Sequence, residues 1–383
     1  MSRVHLTQLK LASFRNFERA RLDCDRRHVV LTGENGAGKT NLLEAVSFLT
    51  PGRGLRRATL EEVARSPGNG AWSVYAEIEG AAGPVTLGTG VVETALGPET
   101  QRRVRINGAA ARTAEEFLEH ARIVWLTPAM DGLFTGAASD RRKFVDRLVL
   151  AIDPAHGRRV ADFEKAMRAR NRLLCDPAPD RAWLDAIEAQ MVDTGVAIAL
   201  ARLELASLLT GVIVRSADPD SPFPDALLEL RGHLETLAPE TPAAELEDGY
   251  RDRLAASRRA DAAAGRTLEG PHRSDLAVSH RPKAMPAQLC STGEQKALLV
   301  GILLAHARLV ADLVGHAPIL LLDEIAAHLD VRRRAALFDR IDALDCQAWM
   351  TGTDRSLFAA LGDRALYCDV AGGTVKGESG NAG

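Results

Sequence analysis

Residues 33–40, GENGAGKT, carry the clearest chemical pattern in the chain because they match the phosphate-loop pattern GxxxxGK[ST]. In such a loop the glycines let backbone N–H groups approach phosphate oxygens, and the helix that follows points its positive end at them. The pattern predicts a site for the phosphates of ATP. The residues predicted to contact the nucleotide are Gly33, Asn35, Gly36, Gly38, Lys39 and Thr40.

Two side chains at the end of this loop have distinct predicted roles. Lys39 is expected on the β- and γ-phosphates, and the Thr40 hydroxyl on Mg²⁺. The alternative is a glycine-rich turn that binds nothing. We favour the phosphate loop because the apolar run at 28–32 enters it as a strand, and apolar spacing typical of a helix follows over 41–49.

An acidic pair after a second apolar run supplies the other half of such a site. Pro318 to Leu322 is followed by Asp323 and Glu324. A carboxylate at the end of a buried strand can hold Mg²⁺ near the phosphates, so we assign Asp323 to the metal. Glu324 is predicted to be the general base that activates water. The alternative is a solvated strand end, which the phosphate loop makes the weaker interpretation.

A third pattern, Ser291 and Gly293 at the start of a long helical run, is typical of an anion site at a helix N-terminus. Taken alone, the segment would be interpreted as a simple helix cap. Its position favours a functional role, because one helix separates Ser291 from the strand that ends at Asp323.

The elements that must position these residues form a split arrangement. Residues 72–106 alternate like a small antiparallel sheet, and 114–264 show long Ala/Leu/Arg/Glu segments with apolar residues three and four apart. The run at 318–323 is typical of a buried parallel strand. We therefore predict an α/β nucleotide-binding domain made of residues 1–113 and 265–383, with residues 114–264 inserted as a helical lobe.

Composition places limits on the class of protein. The chain has 383 residues, 46% of them hydrophobic, and a net charge of -3, so it can bury a large core but does not by charge alone predict a nucleic-acid partner. Its five cysteines lack CxxC spacing, which predicts neither a zinc site nor a disulfide framework. No leader pattern begins the chain, and no apolar run approaches the ~20 residues that span a bilayer, so we expect a cytoplasmic protein without membrane contact.

The order of these motifs resembles that of the ATP-binding-cassette (ABC) ATPases, and within them the heads of the SMC-like group. The resemblance implies an ABC/SMC-type P-loop ATPase head with a mixed sheet. It also implies that Ser291 and Gly293 of one protomer act on the nucleotide of another, with Asp330 at the seam of an ATP-dependent homodimer.

Two further positions are interpreted through this resemblance. The segment 14–17, FRNF, is similar to the start of SMC-like heads, in which the arginine lies near the nucleotide, so Arg15 is assigned to nucleotide binding. Transporter ATPases carry a switch histidine after the last core strand, whereas this chain has Thr353 at about that position. No clear glutamine loop is present.

Segments 128–133, 136–146, 170–174 and 270–276 resemble those of the bacterial recombination mediators, a family of SMC-like ATPases, along essentially the whole chain. The resemblance implies weak DNA-linked ATP hydrolysis and a role in DNA repair, replication restart and the SOS response. It further implies binding to double-stranded and gapped DNA, and RecR and RecO as partners in loading RecA.

Two groups of arginines are candidate contacts to DNA phosphates or, equally, charged surface. The candidates are Arg53, Arg56 and Arg57, and Arg102, Arg103 and Arg105, whereas Arg258–Arg259 and Arg332–Arg334 are interpreted as helix surface.

Competing functions stay open at this level. A transporter ATPase subunit would share the nucleotide site, but the helical lobe between the phosphate loop and the Ser291 segment favours a DNA-repair head. A structural SMC-type protein would need a far longer coiled coil. A nucleotide-switched adaptor with incidental hydrolysis uses the same ATP-driven dimer, so the sequence does not separate it from an ATPase.

Overall fold

The computed structural model of the chain describes residues 3–94, 97–99, 101–218 and 220–377. The chain divides into two compact units. The first comprises residues 1–131, 218–223 and 299–383, and the second 132–217 and 224–298. The domain boundaries predicted from the sequence, after residues 113 and 264, stay a prediction.

The elements of the described residues are numbered in chain order. The strands are β1 His5–Phe14, β2 Phe17–Asp23, β3 His28–Thr32, β4 Trp72–Gly80, β5 Gly83–Val91, β6 Glu93–Thr94, β7 Gly97–Pro98, β8 Arg103–Ile106, β9 Ala109–Ala110, β10 Ile123–Leu126, β11 Ala226–Arg231, β12 Asp275–His280, β13 Met285–Pro286, β14 Ile319–Leu322, β15 Ala348–Gly352, β16 Ala365–Ala371 and β17 Thr374–Gly377. The helices are α1 Lys39–Ser47, α2 Leu60–Val63, α3 Ala138–Leu150, α4 His156–Leu174, α5 Arg181–Arg215, α6 His233–Leu237, α7 Ala243–Ala264, α8 Thr292–Val314 and α9 Val331–Ala343.

The first unit contains two six-stranded sheets. One is antiparallel, with the order β2-β1-β4-β5-β8-β9, which confirms the small sheet predicted over 72–106 and adds the N-terminal strands to it. The other has the order β10-β14-β15-β3-β16-β17 and is parallel except for β17. Because β3, β14 and β15 are buried along their whole length, their sequences are almost unbroken apolar runs.

The core of the first unit is formed by the antiparallel sheet, by α1 and by alternate residues of the mixed sheet. Alternate residues of a strand face the same side of a sheet, so Val29 and Leu31 of β3 belong to this core together with Ile319 and Leu321 of β14. Parallel neighbours also place their carboxyl ends at one edge. The segments that follow β3, β14 and β15 therefore meet there, and the first two carry the phosphate loop and the acidic pair.

The second unit is mainly helical, with a three-stranded sheet of order β11-β12-β13. Its core includes Met191 and Val196 of α5, packed with Tyr250 of α7. Arg170 is fully buried among these helices, where it donates to Glu188 at 2.7 Å and to Asp261 at 2.6 Å. Burying one charge without its partner is costly, so these pairs must form together for α4, α5 and α7 to pack.

Arg258 completes this group of charges. It was predicted to lie on a helix surface, but it pairs with Glu188 and Asp185. Arg258 lies on α7 and is 23% exposed, so it is only partly helix surface; it is a second cation on the buried Glu188 carboxylate that Arg170 already contacts.

Two segments that carried the family resemblance are joined by ion pairs inside this unit. Arg141 of α3 donates twice to Asp275, at 2.6 and 2.8 Å. Arg202 of α5 donates twice to Asp146 and once to the Pro271 carbonyl, at 2.7 Å. The polar residues of 136–146 and 270–276 thus hold the lobe together, which is a structural reason for their dense spacing.

Within the described part of the chain, the two helices α5 and α8 are long and apolar enough to cross a membrane by length and composition alone. The expectation that no segment reaches that size was wrong, because both helices contain windows of 18 residues with few charges. A core helix passes the same test. In α5, Glu188 and Arg202 are buried in ion pairs, as befits a helix packed inside protein.

Candidate nucleotide-binding site

The loop at residues 33–40 connects β3 to α1 and has the strand-loop-helix context that the pattern requires. Gly33 has φ +145°, and a Cβ there would lie 2.2 Å from the Val370 carbonyl oxygen. Gly38 has φ +114°, and a Cβ there would meet the Asn16 amide at 2.6 Å. Both positions therefore require glycine. Asn35 and Gly36 are exposed at the top of the loop, where a ligand can reach the backbone.

Lys39 begins α1 with its side chain folded under the loop. Its Nζ donates to the carbonyls of Gly33 and Glu34 at 2.7 and 2.8 Å, and only 5% of the residue is exposed. Burial lowers the pKa of this ammonium, while Glu324 and Asp323 act in the opposite direction. The charge is thus held beneath the loop's open backbone, where it can face a bound phosphate.

Thr40 and Asp323 are brought together from opposite ends of the sequence. The Thr40 hydroxyl donates to Asp323 Oδ1 at 2.9 Å. Asp323 is 6% exposed, and burial raises its pKa against the effect of hydrogen bonds from Thr351 and Thr40. Among the described residues, no cation forms an ion pair with it. A hydroxyl and a carboxylate are hard oxygen donors, so this pair fits Mg²⁺ in chemistry.

Glu324 follows Asp323 in a left-handed conformation, with φ +51°. Residues other than glycine rarely adopt this backbone conformation, and those that do concentrate at functional sites. The N–H of Glu324 donates to the Thr351 hydroxyl at 2.8 Å, which ties this conformation to β15.

Thr351 was not among the residues predicted from the sequence, which were limited in this segment to Thr353. Thr351 is fully buried, whereas Thr353 is exposed. The available signal was weak, because a threonine within an apolar strand is ordinary, and only pairing of β15 with β14 shows which residues it meets.

Arg15, assigned to nucleotide binding, is engaged with a buried carboxylate. Its guanidinium donates to both oxygens of Glu44, at 2.8 and 2.6 Å, and also to the Glu62 carbonyl. Arg56 contacts Glu44 as well, at 3.2 Å. Because Glu44 lies on α1, these two arginines neutralise a charge directly behind the phosphate loop. Any contact of Arg15 with a nucleotide stays a prediction.

The segment with Ser291 and Gly293 belongs to the second unit and caps α8. The Ser291 hydroxyl donates to Glu294 Oε2 at 2.9 Å, and the Ser291 N–H donates to the same oxygen at 3.0 Å. Lys283 also pairs with Glu294, and these contacts lower the pKa of that carboxyl to about 2. The helix begins at Thr292, directly after Ser291, and Ser291 is exposed.

The structure thus brings Lys39, Thr40, Asp323 and Glu324 to one place in the first unit, as Coulombic contacts between Lys39 and the two acids also indicate. Asp330 lies after Glu324 and caps α9, accepting the Arg333 N–H at 2.8 Å.

The arginines proposed for DNA divide by environment. Arg102 is not a surface cation, because it donates to the carbonyls of Phe48 and Thr50 at the end of α1, and burial lowers its pKa to about 10. Arg103 forms an exposed pair with Glu99. Arg53 and Arg105 are exposed.

Comparison with known proteins was made on sequence and on fold. Residues 5–367 match the family "RecF/RecN/SMC N terminal domain". The chain is 60% identical over 375 residues to the DNA replication and repair protein RecF of Rhizobium meliloti (strain 1021), covering 98% of this chain and 99% of that protein. It is 59% identical to RecF of Mesorhizobium japonicum, covering 98% of each.

Solved structures agree on the fold. A structure of the recombination mediator protein RecF-ATPrS in the RecFOR pathway is similar at a TM-score of 0.83 and 20% identity, with 99% of each chain covered. An Smc head domain from Pyrococcus furiosus is similar at a TM-score of 0.52 and 15% identity, with 98% of this chain and 96% of that one covered. The predicted ABC/SMC-type P-loop head with a mixed sheet is confirmed. The chain belongs to the RecF/RecN/SMC N terminal domain family and, within it, to the RecF proteins.

Proposed function

We propose that the chain is an ATP-binding and weakly ATP-hydrolysing recombination mediator that acts in DNA replication and repair. The observation that carries the proposal is the meeting of Lys39, Thr40, Asp323 and Glu324 at one edge of the mixed sheet. It occurs in a chain that is 60% identical over nearly its full length to a DNA replication and repair protein.

Each residue has a role in this proposal. The backbone of residues 33–38 and the Lys39 ammonium bind the phosphates of ATP, and Thr40 and Asp323 would hold Mg²⁺. When bound, the metal neutralises phosphate charge. Glu324 accepts a proton from the attacking water, which requires its carboxylate to stay ionised. Arg15, assigned to nucleotide binding, is held by the Glu44 carboxylate of α1.

Ser291 and Gly293 complete the site of a second protomer in the proposed ATP-dependent homodimer, with Asp330 at the seam. The exposure of Ser291 and Asp330 supports this, because a residue that acts on another molecule has to be accessible in the monomer. In the monomer the Ser291 hydroxyl donates its one hydrogen to Glu294, so it would have to turn away from Glu294 to donate to a phosphate.

Double-stranded and gapped DNA is the proposed substrate, with RecR and RecO as partners, in the cytoplasm and without membrane contact. One solved relative is described as a mediator in the RecFOR pathway, which supports the partner assignment. Phosphate contacts through exposed arginines such as Arg53 would make DNA binding salt-dependent and largely independent of sequence.

ATP-dependent dimerisation, measured by sizing with and without gapped DNA, tests the proposal. We expect a monomer without nucleotide, a dimer with ATP, and a larger dimer fraction when gapped DNA is present. Duplex binding that ATP leaves unchanged, or that is absent at low salt, contradicts the DNA role. DNA-bound dimers that form equally well with a non-hydrolysable analogue, and that never turn over ATP, would favour the nucleotide-switched adaptor.

A further inference from the structure

Thr351 occupies the carboxyl end of β15, between the two strands that deliver the predicted site residues. On one side β15 pairs with β14, which leads into Asp323 and Glu324. On the other side it pairs with β3, which leads into the phosphate loop. Thr351 is fully buried. Its position is therefore central to the site although it belongs to neither motif.

The hydroxyl of Thr351 makes two contacts of opposite sense. It donates to Asp323 Oδ1 at 2.8 Å, and it accepts the backbone N–H of Glu324 at 2.8 Å. Asp323 Oδ1 also accepts the Thr40 hydroxyl at 2.9 Å. A single hydroxyl group thus fixes the orientation of the carboxylate next to Thr40 and the backbone of the residue that follows it.

The second contact bears on an unusual conformation. Glu324 has φ +51° and ψ +26°, and only its surroundings can hold a glutamate there. The direction in which a side chain leaves the backbone depends on φ and ψ, so releasing the N–H of Glu324 would let its carboxylate turn away. A methyl group in place of the hydroxyl would leave the strand packing intact and remove both contacts together.

We propose that Thr351 is a positioning residue that holds Asp323 and Glu324 in register with each other, so that the metal-side carboxylate and the proton acceptor are oriented by one hydroxyl. This inference rests on the proposed function. Thr351 does not touch the reacting atoms and acts through its two neighbours.

The ordinary alternative is a buried threonine whose hydroxyl merely satisfies its own hydrogen bonds. Under that alternative, replacement by valine changes stability and leaves the chemistry of folded protein unchanged. The two interpretations therefore differ in kinetics, and the Thr351→Val protein separates them because valine has the same shape and no hydroxyl.

The test uses the full chain with Thr351→Val, Thr351→Ser and the matched control Thr89→Val. Thr89 is also a buried strand threonine with one hydroxyl hydrogen bond, to the Arg103 carbonyl at 3.0 Å in the other sheet. ATP turnover is measured at saturating Mg²⁺. In parallel, binding of a fluorescent ATP analogue is titrated with Mg²⁺, which provides a readout independent of hydrolysis.

For Thr351→Val we expect kcat to fall about 10- to 100-fold with KM for ATP within about threefold of the wild type. The Mg²⁺ concentration at half-maximal analogue binding should rise about fivefold, a moderate part of the 10- to 100-fold typical of lost metal-supporting contacts. Thr351→Ser and Thr89→Val should stay within about threefold of the wild type in both measurements, which is less than a tenfold change.

Wild-type kcat or wild-type Mg²⁺ dependence in folded Thr351→Val overturns the proposal. If the valine protein does not fold, as judged by urea unfolding, the serine protein decides: near-wild-type kinetics support the role of the hydroxyl, and a loss beyond tenfold overturns it. A wild-type chain that neither binds nor hydrolyses ATP would instead refute the proposed function itself.

Discussion

The phosphate-loop region of the first unit and the Ser291 segment of the second are built in opposite ways. Around Asp323 the polar groups are buried and bonded to each other across strands far apart in the sequence. Around Ser291 they are exposed, and they bond within a few residues of chain, through a cap that Glu294 closes.

This difference indicates which of the two regions can bind a ligand without a second protomer. A buried, cross-bonded site is organised before a ligand arrives, so the first unit should bind nucleotide in the monomer. An exposed cap has no such confinement, and it gains a function only when another molecule covers it. The comparison predicts that damage to the first region removes binding or chemistry, whereas damage to the second affects turnover with little effect on affinity.

The largest expected effect is that of Glu324→Gln. Glutamine keeps the size of glutamate but cannot accept the proton, so turnover should fall about 10³-fold while ATP binding persists. ATP turnover and sizing with ATP measure this, and the ATP-bound dimer should accumulate on DNA. Glu77→Gln, at a half-exposed residue paired with Lys10, serves as the control. If sizing with ATP shows only monomer for Glu324→Gln, the two-protomer mechanism is wrong.

Lys39→Ala should remove nucleotide binding. The ammonium lies buried beneath the loop, and losing its charged hydrogen bonds to phosphate costs about 3 kcal/mol, or about 100-fold in Kd. Titration with a fluorescent ATP analogue measures the loss. Lys10→Ala, at a half-exposed lysine beside Tyr75, should bind normally. An affinity for Lys39→Ala within threefold of the wild type would mean that the loop does not bind phosphate through this residue.

Ser291→Ala tests the exposed half. Turnover should fall about tenfold because one donor to the partner's phosphate is lost, while the monomer binds ATP normally. Losing a cap also costs about 1 kcal/mol of stability, so Asp180→Ala is the matched control. Asp180 caps α5 in the same unit, accepting from Ala182 and Trp183. An unchanged hydrolysis rate for Ser291→Ala would remove this residue from the site.

The smallest expected effect is that of Lys283→Met, which leaves Glu294 without its cation. The folded-state pKa of Glu294 is depressed to about 2 from an ordinary 4.5. Its ionisation therefore stabilises the fold above pH 4.5, and that contribution is lost as the pH falls towards 2. For a solvent-exposed lysine the difference in the free energy of unfolding between variant and wild type should be small at pH 7.

Urea unfolding at pH 7, 4.5 and 3.5 measures this difference, which should be constant above pH 4.5 and shrink below it. A difference that grows towards acid pH would show that Glu294 is not stabilised by Lys283.

Several features of the fold could be predicted because they depend on local pattern. The strand at 28–32 was predicted at the residues where the structure has it, since a buried strand is recorded directly as an apolar run. Asp323 and Glu324 were found because an unbroken apolar run ends at them. The ABC/SMC-type fold was implied by the resemblance in motif order, and the comparisons confirmed it.

Other features could not be predicted because they depend on partners distant in the sequence. Arg102 has the same local signature as Arg103, two arginines in a basic stretch, and only the end of α1 beside it makes it a capping cation. Arg258 likewise becomes part of an ion-pair network only when α5 and α7 pack together.

The sequence by itself determined the presence of a phosphate loop, the acidic pair and the Ser291 segment, because each is a short run of residues that can be recognised from residue type and spacing. Only the tertiary structure decided that Thr351 joins Asp323 to Glu324, and that Arg15 is held by Glu44. Parallel strands bring Thr351 to Glu324, about 30 positions away, and Thr40 to Asp323, about 280 positions away. Arg15 and Glu44 are also about 30 positions apart. Such contacts arise from the order of strands in the sheet, which no local pattern specifies.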